Sequence, residues 1–305
     1  MDQLAPYLPF NRESLGGEFI PAKNGDLPES HHGTWLLVRE QALLIQQAVG
    51  GPGWRLPQSP LPEGLARTLH PIIHLGTYKG APCWAAAVPQ GVHTPTGFRW
   101  ECVVPRETRL TDDALSLGGL ALQAIHWEQT SLYCPRCGAA TARIREELGK
   151  RCSQCSYEHY AHLHPAVIVL VRDRDRVLLT RKAFWPKGRY GLVAGFVDVG
   201  ESLEGAVERE VHEEVGVDIR DLRYVGSQYW PFPSQLMVGF TAAYAGGALV
   251  VNTQELEDAR WFSVQHLPEL PPKLSIARFL IDHFARSDEK PGVGTDESGG
   301  SAKSK

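Results

Sequence analysis

The sequence predicts an α+β fold in about two domains, with a short cysteine-rich segment between them. The chain has 305 residues, of which 43% are hydrophobic and 22% charged, and such a length and composition are typical of about two globular domains. The second half mixes several apolar runs of strand character with two helical segments, a mixture that favours α+β. Two close pairs of cysteines precede that half.

Residues 1–130 are predicted to form a smaller N-terminal α+β domain. Short apolar runs at 35–38 and 85–88 alternate with breaks rich in Gly and Pro. The segment HTPTGFRWECVVP has strand character, and DDALSLGGLALQAIHWEQT has helical character. This domain carries no catalytic signature, and its histidines are expected at the surface or in hydrogen-bonded core positions.

Residues 131–160 are predicted to form a zinc ribbon. Two CxxC pairs stand fourteen residues apart, close to the spacing of a four-cysteine zinc site. All four ligand positions are cysteine, which indicates a closed structural site: Cys134, Cys137, Cys152 and Cys155. Gly138 favours the tight turn after the first pair. A ribbon that binds nucleic acid is the alternative, but acidic residues interrupt its few basic ones.

Residues 161–287 are predicted to form the second domain. PAVIVLVRDRDRVLLTRK gives two strands around a polar turn, and RYGLVAGFVDVG continues the apolar pattern. A helix is expected from about 202 to 215, followed by strands in LRYVGSQYWPFPSQLMVGFTAAYAGGALVV and DARWFSV. LSIARFLIDHFAR gives a last helix, and residues 288–305 are expected to be disordered because they offer almost nothing to bury.

Charge and hydropathy argue against a membrane protein and against a broad basic surface for nucleic acid. The net charge is −4, so no broad basic field attracts nucleic acid or an anionic membrane. No apolar run approaches the roughly 20 residues of a membrane span, and the N-terminus lacks the pattern of a signal peptide. We therefore expect a cytoplasmic protein.

The segment GFVDVGESLEGAVEREVHEEVG concentrates acid on one helix. It holds six glutamates and one arginine, and on a helix Glu210, Glu213 and Glu214 share one face. Like charges so placed repel one another, and a bound Mg²⁺ or Mn²⁺ would relieve this, because hard cations prefer carboxylate oxygens. The alternative is an acidic surface helix that serves only solubility.

The spacing of this segment resembles the Nudix box. Nine specified positions match that motif: Gly195, Glu201, Arg209, Glu210, Val211, Glu213, Glu214, Gly216 and Val217. The resemblance implies the Nudix α/β/α sandwich and hydrolysis of a nucleoside diphosphate linked to another group.

The family pattern implies a role for each polar position. Glu210, Glu213 and Glu214 would ligate the divalent metals, with Glu214 also the general base and Glu213 its alternative. Arg209 would orient the cluster through Glu201. Gly216 stands where a helix C-terminus favours a left-handed residue, and Gly195 would allow a close approach of its loop to the metal.

A second array resembles that of the NADH pyrophosphatase (NudC) subfamily. SQYWPFPSQLM, at residues 227–237, follows the pattern SQPWPFPxS except at Tyr229 and Gln235. The subfamily also places a four-cysteine zinc ribbon between its N-terminal and Nudix domains. YAHLHPAVI departs from the subfamily's YPRxDPAVI at Ala161, His162 and His164.

The resemblance implies a set of substrate contacts. Flat rings of a dinucleotide stack on aromatic faces, and Phe196 and Trp230 would hold one ring between them. Core or dimer packing is the alternative for Trp230 and Phe232. The other positions carried over are Gln228, Phe232, Tyr160 and Ala277 as substrate contacts and Glu255 as a further metal ligand.

Together these features imply an enzyme that cleaves NADH or NAD⁺ into nicotinamide mononucleotide and AMP. They allow the same cleavage at the NAD cap of an RNA 5′ end. The implied cofactors are Mg²⁺ or Mn²⁺ for catalysis and Zn²⁺ for structure, and the implied assembly is a homodimer. The alternatives are a Nudix pyrophosphatase for ADP-ribose or diadenosine polyphosphates, and a non-catalytic nucleotide or RNA sensor.

Overall fold

The computed structural model describes residues 7–22, 30–48, 50–104, 109–144 and 148–285. Within these ranges the chain forms three sheets in succession, of seven, three and six strands. The tail 288–305, for which we predict disorder, lies outside the described residues. No helix in the described part is both long and apolar enough to cross a membrane.

The first sheet belongs to the N-terminal domain. Its strand order is β1-β5-β6-β2-β3-β4, with β7 also beside β3, and β2 and β6 pair in parallel. A single 3₁₀ turn, Arg12–Leu15, precedes it, and a short helix α1, Glu63–Ala66, interrupts it. The strands are β1 Phe19–Pro21, β2 Thr34–Arg39, β3 Ala42–Gln47, β4 Trp54–Arg55, β5 Ile72–Tyr78, β6 Ala81–Ala87 and β7 Phe98–Cys102.

Helix α2, Asp112–Thr130, packs on this sheet and is buried on most of its circumference. Two adjacent glycines permit its close packing. A Cβ on Gly118 would lie 2.4 Å from the Leu43 side chain, and one on Gly119 would lie 2.9 Å from Phe10. Larger residues at these positions would push the helix away from the sheet, which explains the GG pair inside a helical sequence.

The second sheet is the cysteine ribbon. Strands β8 Thr141–Arg143, β9 Gly149–Cys152 and β10 Glu158–Tyr160 are antiparallel, in the order β10-β9-β8. The buried Lys150 donates to the Glu128 carboxylate of α2 at 2.8 Å, and the ribbon is thereby attached to the N-terminal domain.

The third sheet forms the second domain. Its order is β14-β15-β11-β12-β16, with β13 also beside β11, and β11 runs parallel to β15. Two helices, α3 Leu203–Val215 and α4 Ile276–Phe284, flank it. The strands are β11 His164–Asp173, β12 Arg176–Arg181, β13 Val193–Phe196, β14 Asp218–Trp230, β15 Gln235–Gly246 and β16 Asp258–Ser263.

Alternation along β11 divides the core of this domain into two layers. Val167, Val169 and Val171 pack in one cluster with residues of α3. Ile168 and Leu170 point the other way, into a cluster with residues of α4. Successive side chains of a strand face opposite sides of the sheet. Since both sides of this central strand are buried, its sequence is a continuous apolar run. The expected α/β/α sandwich is confirmed.

Candidate active site

Helix α3 is fixed at both ends by the residues that the sequence places there. Ser202 Oγ caps the first turn by accepting from the Gly205 amide at 3.0 Å. Gly216 ends the helix with φ 71°, the left-handed conformation predicted for it, which glycine adopts without steric cost. These caps set the register that turns Glu210 and Glu214 toward the sheet, where both are buried.

Arg209 organises the acidic cluster. Its guanidinium donates to both oxygens of Glu201, at 2.6 and 2.9 Å, so the predicted pairing is present. It also donates to Glu210 at 2.8 Å, to Glu213 at 3.0 Å and to the Phe196 carbonyl at 2.9 Å. The arginine lowers the pKa of Glu201 to about 2. Five donated hydrogen bonds from one planar fork hold helix α3 against the loop after β13.

Glu210 lies against β13 only because residue 195 has no side chain. A Cβ on Gly195 would lie 2.0 Å from the Glu210 carboxylate carbon, so any larger residue there would force the Glu210 carboxylate out of its present position. Burial is the largest cause of the raised pKa of Glu210, which Arg209 opposes. Gly195 therefore makes room for the acid itself.

Glu214 is the deepest acid of the cluster, with 1% of its surface exposed. Neither of its carboxylate oxygens has a hydrogen-bond partner. Burial, together with the charges of Glu210 and Glu255, raises its pKa to about 7, and Lys182 opposes this. Two orphaned oxygens in a cleft with other acids are the donor set that Mg²⁺ or Mn²⁺ prefers, so these residues fit a divalent cation.

Glu255 joins the cluster from the loop that follows β15. The Asn252 amide donates to the Glu214 carbonyl at 3.0 Å and ties this loop to the end of α3. The charge of Glu255 raises the pKa of both Glu210 and Glu214. Glu213 lies at the outer edge, with a half-exposed side chain on Arg209. These four acids thus influence or contact one another directly or through Arg209, although among the described residues only the four cysteines have ligand atoms all within 4.8 Å of one another; their role as metal ligands stays a prediction.

The four cysteines form the tightest ligand group. Their sulfur atoms all lie within 4.8 Å of one another, and three Sγ–Sγ separations are 3.5, 3.5 and 3.7 Å. Tetrahedral zinc with Zn–S bonds of about 2.3 Å requires separations of about 3.8 Å. Gly138 adopts φ 75° in the turn after Cys137, as the sequence predicts. The site is closed and structural, and zinc fits it.

Phe196 lies beside the acidic cluster, because its carbonyl accepts from Arg209 at 2.9 Å. It directly follows Gly195, its ring is half-exposed, and its centroid lies 6.4 Å from that of His164. A flat ring of a substrate can reach this face. Tyr160 is also half-exposed, and its hydroxyl contacts Glu158 at 3.1 Å. Ala277, on α4, packs at the edge of the core.

The side chain of Gln228 has a structural role in this chain. It is fully buried, donates to the carbonyls of Pro9 and Leu274 at 2.8 Å each, and accepts from the Ile276 amide at 2.7 Å. These bonds occupy both its donors and its acceptor. In this structure the side chain joins the N-terminal segment, β14 and α4, and its role as a substrate contact stays a prediction.

Trp230 and Phe232 pack on the N-terminal domain. Both lie edge-on to Phe10, at 5.5 and 5.6 Å, and 5.1 Å from each other. The departure at Tyr229 belongs to the same contact, because its hydroxyl donates to Gln123 of α2 at 3.0 Å. In this structure the array therefore joins the two domains, and its stacking on a substrate ring stays a prediction.

Sequence reasoning missed Lys182. Its ammonium lies 3.8 Å from Glu214 Oε1, just beyond the end of β12. The available signal was a lysine at the end of an apolar strand. That this strand, β12, pairs with the central strand β11 becomes evident only once the sheet is formed.

Three family models match the chain in succession. They are the NADH pyrophosphatase-like rudimentary NUDIX domain at residues 32–127, the NADH pyrophosphatase zinc ribbon domain at 129–160 and the NUDIX domain at 162–283. The NAD-capped RNA hydrolase NudC of Stutzerimonas stutzeri is 41% identical over 71% of this chain and 79% of its own length. The chain belongs to the Nudix hydrolase family, in its NADH pyrophosphatase (NudC) subfamily.

Another NudC relative covers still more of the chain. The NAD-capped RNA hydrolase NudC of Pseudomonas aeruginosa is 38% identical over 83% of this chain and 89% of its own length. Among solved structures, a NUDIX hydrolase from Nitrosomonas europaea is 28% identical over 49% of this chain and 86% of its own, with a TM-score of 0.41.

Proposed function

We propose that this Nudix hydrolase cleaves the diphosphate of NADH and NAD⁺ to nicotinamide mononucleotide and AMP, and removes NAD caps from RNA 5′ ends. The observation that carries the proposal is the pair of unpartnered, buried oxygens of Glu214 inside a cluster of acids. Subfamily membership, over all three parts of the chain, supports the choice of substrate.

The side chains divide the work of hydrolysis between them. Glu210, Glu214 and Glu255 hold the divalent cations, with Glu213 at the rim. Those cations, when bound, neutralise diphosphate oxygens and acidify water. Arg209 keeps the acids in register through its bonds to Glu201, Glu210 and Glu213.

We assign the general base to Glu214, with Glu213 as the alternative. Glu214 is the deepest acid, and neither of its carboxylate oxygens has a hydrogen-bond partner, so an oxygen of this side chain is free to accept a proton from water. Lys182, 3.8 Å from this carboxylate, adds positive charge on the side where diphosphate oxygens would approach. The exposed ring of Phe196 offers a stacking face for the base or the nicotinamide.

Product analysis on a substrate panel tests the proposal. The panel contains NADH, NAD⁺, NAD-capped RNA, ADP-ribose and diadenosine tetraphosphate, each with Mg²⁺, with Mn²⁺ and with EDTA. We expect metal-dependent release of AMP and nicotinamide mononucleotide, and of 5′-monophosphate RNA from the capped substrate. Faster cleavage of ADP-ribose than of NADH, NAD⁺ and NAD-capped RNA would contradict the assignment.

A Glu214→Gln variant separates an enzyme from a sensor. We expect it to bind NADH but to lose turnover, because the deepest acid has lost its charge. Wild-type protein that binds these nucleotides and cleaves none of them with either metal would favour the sensor.

A homodimer and a cytoplasmic location complete the proposal. Subfamily membership supports both. Sedimentation equilibrium at micromolar concentration tests the dimer, and fractionation of the source cells tests the location.

A further inference from the structure

A cavity of about 250 Å³, here called the histidine pocket, lies where three parts of the chain meet. It is lined by four imidazoles: His126 of α2, His159 of the ribbon, and His162 and His164 at the start of the Nudix domain. Nothing in the acidic cluster uses these residues. Two of them, His162 and His164, are the departures from the subfamily pattern noted in the sequence.

Two buried nitrogen atoms without hydrogen-bond partners belong to side chains that line this pocket, and the indole one is a donor. Trp127 and His159 also line it, their exposed fractions are 7% and 8%, and the Trp127 Nε1 and His159 Nε2 atoms have no hydrogen-bond partner. The Trp127 ring lies 4.9 Å from that of His159 and 5.7 Å from that of His162. An indole N–H can only donate, and a buried polar group without a partner is costly, so a ligand with acceptor atoms fits here.

The charge around the pocket selects an anion. None of the lining residues in the described part of the chain is Asp or Glu. Lys150 and His162 both act on His159 as positive charges and, with burial, lower its pKa. The imidazole nitrogens are too far apart to form a three-ligand metal group, since among the described residues only the four cysteines meet that condition. An oxyanion, which accepts several hydrogen bonds at once, suits these dispersed donors.

The pocket adjoins the active site through β11 and β13. The His164 Nδ1 atom lies 2.8 Å from Ser234 Oγ, and its ring lies 6.4 Å from Phe196. Phe196 follows Gly195, which abuts Glu210. A substrate whose diphosphate lies at the acids and whose adenine lies on Phe196 would have its adenosine ribose between them, with the 3′-oxygen of that ribose able to face the histidines.

We propose that the histidine pocket binds a substrate phosphate other than the scissile diphosphate, namely the 3′-phosphate that links the cap adenosine to the RNA chain. This deepens the proposed function and rests on it. The pocket gives capped RNA an extra contact that free NAD⁺ lacks, and His162 takes the place of a subfamily arginine that would also bind an anion.

A minimal substrate pair tests the idea. The values of kcat/KM are measured for NAD⁺ and for NAD⁺ carrying a 3′-phosphate on its adenosine, with the 2′-phosphate isomer as a positional control. For the wild type we expect a higher kcat/KM for the 3′-phosphate substrate than for NAD⁺ or for the 2′-phosphate isomer. The variants His162→Ala and Trp127→Phe should each reduce the ratio of the 3′-phosphate substrate to NAD⁺ about tenfold, the size of one hydrogen bond to a charged group.

Two further variants sharpen the comparison. His162→Arg should keep the ratio near its wild-type value, because arginine also offers a positively charged hydrogen-bond donor at this position. His266→Ala, which removes an exposed histidine far along the chain, should leave the ratio unchanged. The proposal would be overturned if His162→Ala lowered kcat/KM equally for the 3′-phosphate substrate and for NAD⁺, or lowered it for neither.

Direct binding separates this idea from the proposed function. Inorganic phosphate is titrated without divalent metal while the histidine ring resonances are followed by NMR. A shift at His159 that is lost in both Trp127→Phe and His162→Ala supports the pocket even if the wild type cleaves no dinucleotide. Unshifted resonances would refute the pocket even if NAD⁺ is cleaved.

Discussion

Replacing Glu214 with glutamine should stabilise the metal-free protein as pH rises, because it removes a charge that the fold cannot solvate. The pKa of this carboxyl is about 7 in the folded chain, against an ordinary value of 4.5. Because the pKa is raised on folding, the protonated Glu214 carboxyl favours the folded state. This contribution to the free energy of unfolding is complete below pH 4.5 and is lost as the pH rises through 7. Each tenfold change in proton affinity corresponds to about 1.4 kcal/mol. The pKa difference between the unfolded and folded chain therefore amounts to a loss of about 3 kcal/mol in unfolding free energy once the carboxyl is fully ionised.

About 2 kcal/mol of this loss falls between pH 5.5 and pH 8. Glutamine has the shape of the protonated acid, so comparing the two pH values cancels the shared cost of an unpartnered polar group. We therefore expect the difference in unfolding free energy, Glu214→Gln minus wild type, to grow by about 2 kcal/mol over this interval.

Urea unfolding in EDTA, followed by tryptophan fluorescence, measures this difference. Glu208→Gln is the matched control, because it removes one charge from an exposed position of the same helix, and its difference should stay flat with pH. Added Mn²⁺ should stabilise the wild type at pH 8 and the variant much less. A flat profile for Glu214→Gln, or equal stabilisation of both proteins by Mn²⁺, would refute this account of the acidic cluster.

The remaining predictions concern the supports of the site. Gly195→Ala should lower kcat at least tenfold with the fold retained, because its Cβ would lie 2.0 Å from the Glu210 carboxylate; circular dichroism checks the fold, and unchanged kcat would contradict the close approach. Arg209→Lys should lower kcat/KM about 100-fold, since lysine cannot span three acids; Arg220→Ala, at an exposed site on β14, serves as control. Cys152→Ser should abolish zinc retention, measured by atomic absorption, and reduce Tm; full zinc content would argue against the four-sulfur site.

Several elements of this fold follow from local sequence alone. Gly216 and the crowding of glutamates before it predicted helix α3 and suggested a bound metal. The two CxxC pairs predicted the ribbon in the same way, because ligand spacing along a short loop limits where the sulfur atoms can go.

The contacts between distant segments were decided by the tertiary structure. The array around Trp230 follows its subfamily pattern in the sequence, yet Phe10, about 220 residues earlier, covers it in the folded chain. Gln228 shows the same limit: its three partners come from the N-terminal segment and the approach to α4, and no local pattern encodes them.

The sequence by itself determined which groups carry the chemistry: four acids, a guanidinium and four thiols at spacings that only a few backbone shapes satisfy. Only the tertiary structure decided how far each group is exposed to solvent. Burial left the carboxylate oxygens of Glu214 without hydrogen-bond partners, and folding gathered the scattered histidines 126, 159, 162 and 164 around one cavity. Solvation depends on every segment that packs nearby, and for that reason it is a property of the assembled fold.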